Sequence, residues 1–486
     1  MDLRRLPAAR AAARALTCGV TLLATAAVGA CGGTGTGGTP GGHGVRDPYF
    51  PKLGNGGYDV THYELTLGYE PASGQLTGTA EITARATKNL SAFNLDLRGL
   101  DVSGVTVGGE AARFRRAGHE LTVRPADGLA RGRTFHARVR YSGAPETITD
   151  PDGSKEGWLR TADGALALGQ PTGSMAWFPG NHHPSDKASY DIRITVPKGL
   201  RAVSNGELAG EPGGEPAKGG RTTFSWHSPE PMASYLATVA IGKYEMASST
   251  TKGGLPVVTA VDITQAEAGR EALAKLPDIL EWGEKNFGPY PFSAAGAVVE
   301  REQDAGYALE TQTRPVFPGA PSTGLLVHEL AHQWFGDSVT PMSWRDMWLN
   351  EGFATYAEWM YAEDHGGDSA QTVFDQLYAG TRYAEPADDE AVWAFPPGRP
   401  PDAAHISDPP VYERGAMVIH KIRRAVGDTA FRDITRGWAR THRHGNASTR
   451  DFTEYVEQHA GGHEARARVV RIWDDWLYGD GRPDRP

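Results

Sequence analysis

From Asp59 to Glu245 apolar and polar residues alternate with a period of two, and beyond that stretch the period changes. "YELTLGY" places Tyr63, Leu65, Leu67 and Tyr69 on one face. "FHARVRY" does the same with Phe135, Ala137, Val139 and Tyr141, and "YDIRITV" with Tyr190, Ile192, Ile194 and Val196. Successive side chains of a strand point to opposite faces, so these runs predict sheets with one buried face, mostly antiparallel across the Gly-, Pro- and Asp-rich turns between them. Near Thr264 the spacing lengthens. In "TQAEAGREALAKLPDILEWGEKNFG" Leu273, Leu276, Leu280 and Phe287 recur at helical intervals. A Thr264-x-x-Glu267 capping box is expected to open this run and Pro277 to break it. "STRDFTEYVEQHA" reads as another capped helix, and helices dominate to the end of the sequence. The expectation is a multidomain α+β chain, with a β-rich domain over residues 46–254 and a mainly helical domain over 255–486. A length of 486 residues suits two or three domains with full hydrophobic cores.

The first thirty residues read as a signal for export. Arg4, Arg5, Arg10 and Arg14 form a basic start, Ala15 to Val28 is a short apolar run, and "AVGAC" ends at Cys31. The run is too short to cross a bilayer. Small residues before a cysteine resemble the lipobox of bacterial lipoproteins, which implies lipidation of Cys31 after cleavage. Cys18 leaves with the signal, so the mature chain keeps one cysteine and forms no disulfide. The Gly-rich stretch 32–44 has the composition of a flexible tether. These readings place the protein outside the cytoplasmic membrane, on a lipid anchor. Cleavage removes four arginines and one aspartate, which takes the formal charge from −10 to −13. So acidic a chain is a poor partner for nucleic acid, which is bound by basic patches.

"VHELAHQWFGDSVTPMSWRDMWLNEGFATY" carries the chemistry. His328, Glu329 and His332 fit an H-E-x-x-H pattern. On a helix, residues four apart lie a turn from each other on one face, so both imidazoles can bind one tetrahedral Zn²⁺. Glu329 is then offset toward the metal's open position, where it can act as the base for water. A hydrolytic zinc takes three protein ligands. Eighteen residues after His332 comes Glu351, near the first turn of a second expected helix, and it is the candidate third ligand to one Zn²⁺. Glu358, two turns further on, is either a carboxylate that orients a ligand histidine or an exposed surface acid.

With these residues in view, the stretch "HELAHQWFGDSVTPMSWRDMWLNEGFATYAEW" closely resembles the zinc aminopeptidase family that includes aminopeptidase N and leukotriene hydrolase. The resemblance implies a β-rich N-terminal domain followed by a thermolysin-like catalytic domain. "GYALET", Gly306 to Thr311, stands where the family carries G-x-M-E-N, so Gly306 and Glu310 are implied in binding the free amine of a peptide. Leu309 and Thr311 depart from that pattern. Gln170 falls where relatives place a second amine-side group, an amide here rather than a carboxylate. "PPVYERGAMVIHK" resembles the segment with the family's catalytic tyrosine, which implies that role for Tyr412. Larger relatives add a helical C-terminal domain. The mature chain of 456 residues leaves no room for it, so an open cleft that accepts longer peptides is expected. The expected activity is removal of N-terminal residues from peptides. A thermolysin-like endopeptidase, which would not need Glu310, and a non-catalytic surface binding protein are the alternatives.

Overall fold

The period-two runs form the strands they predict. In the computed structural model, which describes residues 38–484, strand Tyr58–Glu70 pairs antiparallel with Gln75–Ala86, and that strand pairs antiparallel with Thr134–Gly143. On its other side Tyr58–Glu70 pairs in parallel with Lys187–Pro197, which continues antiparallel to Arg221–Ala233. These belong to a sheet of nine strands among the described residues, and the alternating residues named above are all buried on one face of it. The Tyr63 and Tyr190 rings, brought together by the parallel register, stack with centroids 4.9 Å apart. A five-stranded sheet that includes Lys155–Arg160, Ala165–Leu168 and Val239–Gly242 carries the loop of Gln170.

Strand pairing runs across residue 254. Strand Tyr244–Thr250 pairs antiparallel with Pro256–Asp262, which runs parallel to Ala295–Glu300 and, beyond it, Val316–Pro318. A division at residue 254 would cut this hairpin, so the second sheet begins before it, at Tyr244. Local alternation is the same in both sheets, and only the pairing assigns the strand. The capping box at Thr264 also does not form: Thr264 turns back to Asp262, and helix α1 (Ala266–Leu273) starts after Gln265 without a side-chain cap. The break at Pro277 is present, since helix α2 (Leu276–Phe287) starts there with proline in its first turn. Ser448 and Asp451 do form a capping box at the start of the helix Thr449–His459.

Cys31 and the export signal lie outside the described residues. Part of the glycine-rich stretch is not a free tether. Thr39–Pro40 pairs with Leu90–Asp96, and Gly42–His43 pairs with Asn55–Gly56. Among the described residues no helix is long and apolar enough to cross a membrane.

Candidate metal centre and active site

Ser322 accepts a hydrogen bond from the Leu325 N–H and starts helix α3 (Thr323–Ala331), which ends as His332 takes its last helical conformation. His328 and His332 therefore project from one face, their ring centroids 4.8 Å apart. Helix α4 (Trp348–Asp364) packs against α3 and carries Glu351 in its first turn. One carboxylate oxygen of Glu351 lies 3.2 Å from His328 Nε2 and 3.3 Å from His332 Nε2. Donors held at about 2.0–2.1 Å from one tetrahedral zinc stand about 3.3 Å apart, so the three groups already have the mutual spacing of a ligand set. The outer nitrogens are engaged as ligand histidines require. His328 Nδ1 donates to Glu358 at 2.8 Å and His332 Nδ1 to the Phe335 carbonyl at 3.1 Å, which turns both Nε2 atoms toward Glu351. Of the two readings of Glu358, the contact with His328 is made, and its side chain is also about one-third exposed at 35%.

Glu329 is buried at the side of this group, and one of its carboxylate oxygens has no hydrogen-bond partner among the described residues. Burial pushes its carboxyl up to about 8 against the pull of His328 and His332. Ligand atoms of Glu310, Glu329 and His332 lie within 4.8 Å of one another, so the residue of the "GYALET" segment does reach the centre. Leu309 explains how: its backbone bridges antiparallel to Val316 at the edge of the second sheet, which delivers Glu310 into the cleft. Gln170 arrives from the β-rich domain and donates to Glu310 at 3.4 Å. Gly306 lines the same cleft, and a side chain added there would meet no atom within 4 Å. Tyr412 lines the same cleft. Its ring lies nearly parallel to that of His328, with centroids 6.1 Å apart. Together these residues line a cleft of about 500 Å³.

Several positioning residues carry no signal in the sequence. Gln333, next to His332, donates to the Glu310 carbonyl at 3.3 Å and accepts from the Thr313 N–H at 2.7 Å, which ties the amine-side loop to α3. Glu156 is fully buried and accepts from the backbones of Thr172 and Gly173 at 2.9 and 2.7 Å, which fixes the turn after Gln170. Tyr412 sits on a widened turn, Pro410–Arg414, whose Arg414 is completely buried and donates to the carbonyls of Trp476 and Gly479 at 2.9 and 2.5 Å. Only tertiary structure brings these partners together.

Two histidines four apart, a glutamate from the next helix and a second buried glutamate beside them have the arrangement of a zinc metallopeptidase centre. The chain belongs to peptidase family M1. Its residues 60–236 match the Peptidase M1 N-terminal domain and residues 320–476 the Peptidase family M1 domain, a family whose peptidases use one catalytic zinc. A crystal structure of an M1 zinc metallopeptidase from Deinococcus radiodurans bound to Tyr-Ser-Ala is 30% identical, with a TM-score of 0.82 over 91% of this chain and 99% of that one. A two-domain M1 zinc metallopeptidase bound to L-arginine matches at 30% identity with a TM-score of 0.81, over 91% and 99%. Among sequences, pig (Sus scrofa) glutamyl aminopeptidase is 24% identical over 87% of this chain and 47% of its own length. Mouse (Mus musculus) aminopeptidase N is 27% identical over 63% of this chain and 34% of its own length. The chain thus spans about half or less of the length of these curated relatives.

Proposed function

We propose that this protein is a zinc-dependent aminopeptidase that removes N-terminal residues from peptides. The observation that carries the reading is Glu310, a buried carboxylate within reach of the metal-binding group and bonded to Gln170. A carboxylate at that place pairs with a terminal ammonium and sets the first peptide bond over the catalytic centre. The tripeptide bound by the D. radiodurans relative and the names of the sequence relatives support it.

His328, His332 and Glu351 would hold the ion, which when bound supplies Lewis acidity toward water and the scissile carbonyl. Glu329 takes the proton of the attacking water and returns it to the leaving amine. Tyr412 donates its hydroxyl proton in a hydrogen bond to the oxyanion that develops on the substrate. Glu310 and the Gln170 amide oxygen accept from the amine, and Glu358 keeps the His328 ring oriented.

N-terminal acetylation separates this reading from that of an endopeptidase. A free peptide should be trimmed and its acetylated form left intact; equal rates on both would favour the thermolysin-like alternative. The cleft of about 500 Å³ supports the acceptance of peptides longer than the tripeptide bound by the D. radiodurans relative. On that reading decapeptides are cut about as readily as di- and tetrapeptides, and a sharp loss of rate with length would count against it.

We further propose that the chain is exported and held at the extracytoplasmic face of the cell membrane through lipid on Cys31. The basic start, short apolar run and "AVGAC" support this. Cys31→Ala should then release the protein from membranes, and retention would refute the anchor.

A further inference from the structure

A second group of potential metal donors lies in the β-rich domain. Strands Leu90–Asp96 and Glu120–Arg124 pair antiparallel with Asp96 directly opposite Glu120, so two carboxylates share one face of the pair. Like charges in such a cross-strand position repel, and burial strengthens the repulsion. Asp96 is completely buried, and Glu120 keeps only 14% of its side chain exposed. His119, which precedes Glu120 in the tight turn, places a ring nitrogen within 4.8 Å of both carboxylates.

The hydrogen bonding of this group is incomplete. Asp96 Oδ2 accepts from the backbones of Gly54 and His182 at 3.2 and 3.1 Å, whereas Oδ1 has no donor among the described residues. Neither carboxylate oxygen of Glu120 has a donor within hydrogen-bond distance among them, and the Asn55 side chain lies against Asp96. Buried polar atoms without partners are rare in folded proteins, and an ion is one standard reason for them. His119 Nε2 lies 3.3 Å from the Lys52 carbonyl. A proton donated there leaves Nδ1 with a free lone pair, the arrangement of a ligand histidine. His43 stands at the rim, its Nδ1 3.7 Å from Glu120 Oε2, and it comes from the segment that pairs with Asn55–Gly56 on the way to the N-terminus.

We propose that Asp96, His119 and Glu120 form a second divalent-metal site, distinct from the catalytic centre, that pins the N-terminal segment to the β-rich domain. Mixed imidazole and carboxylate donors suit a zinc-type transition ion rather than calcium or magnesium, which prefer oxygen alone. The ion would neutralise the opposed carboxylates and supply the partner that Asp96 Oδ1 and Glu120 lack. His43 offers a further donor from the segment to be held.

Metal counting tests this on the full chain. Protein loaded with zinc and freed of excess should carry two equivalents per chain by elemental analysis. Asp96→Asn and the more exposed His119→Ala should each carry one, with peptide hydrolysis unchanged, because the remaining ion is the catalytic one. Added zinc should also raise the melting temperature of a His332→Ala protein, and the gain should vanish when His119→Ala is combined with it. A single equivalent in the wild type would mean that a shared proton, not an ion, joins the two carboxylates, and would overturn the proposal. Two equivalents in either folded variant would overturn it as well, by placing the second ion elsewhere.

Discussion

Glu329 is close to the metal donors yet makes no bond to them, and so its role separates from theirs experimentally. Glu329→Gln should lower kcat by roughly 10²–10⁴ while zinc content stays at the wild-type value. Loss of zinc, or near-normal turnover, would contradict the assignment. Tyr412→Phe removes one hydrogen bond to the developing oxyanion and should lower kcat by about 10²–10³ with little change in KM. Glu358 acts at one remove, through the bond to His328 Nδ1. Its replacement by Gln should weaken zinc affinity by about 10–100-fold, measured by competition with a chelator, while zinc-saturated turnover stays near normal.

Helix α4 meets the Tyr412-bearing turn and the following helix, Gly415–Val426, through two glycines. A Cβ at Gly352 would come within 2.9 Å of the Gly415 carbonyl carbon, and one at Gly415 within 3.1 Å of Gly352 Cα. Because Gly352 follows Glu351, this close crossing of backbones sets the distance between the candidate metal-binding group and Tyr412. Gly352→Ala forces the two segments apart in a packed interior, where rearrangement costs about 1–3 kcal/mol. A lower denaturation midpoint together with reduced kcat is expected, and unchanged values of both would show the contact to be slack. Gly336, with φ of 138°, plays a related part behind His332: a Cβ there would lie 3.2 Å from its Nδ1, the atom bonded to the Phe335 carbonyl.

Over the whole molecule, acid stability reports on histidines buried in neutral form. His182 in the β-rich domain and His420 in the helical domain are both pushed down from 6.5 to about 4 by burial, and for His420 the neighbouring arginines add to it. Unfolded, each binds a proton as pH falls through about 6.5; folded, each stays neutral until about 4. Their contribution to stability is complete above pH 6.5 and is lost as falling pH approaches 4. Between pH 7 and 4.5 the His420→Gln protein should therefore lose less of its denaturation midpoint than the wild type does. An equal loss in the variant would remove His420 from the account.

Much of this protein is legible in its residues alone. Period-two blocks predict strands such as Tyr58–Glu70 and Lys187–Pro197 because side-chain alternation is a local property of extended backbone. The spacing of His328 and His332 places them on one face because a helical turn is equally local. Glu351 follows from the need for a third ligand and its place in the next expected helix, whereas Tyr412, Glu310 and Gln170 were recoverable only through family resemblance, since their approach crosses two domains and several turns. Tertiary structure alone decided the rest. Pairing placed Tyr244–Thr250 beside Pro256–Asp262 and laid Thr39–His43 against Leu90–Asp96 and Asn55–Gly56. Packing buried Arg414 and Glu156 as supports for the site, and it set Asp96 opposite Glu120. Periodicity encodes which face of an element is buried, whereas strand register and the meeting of distant side chains depend on how the whole chain closes on itself.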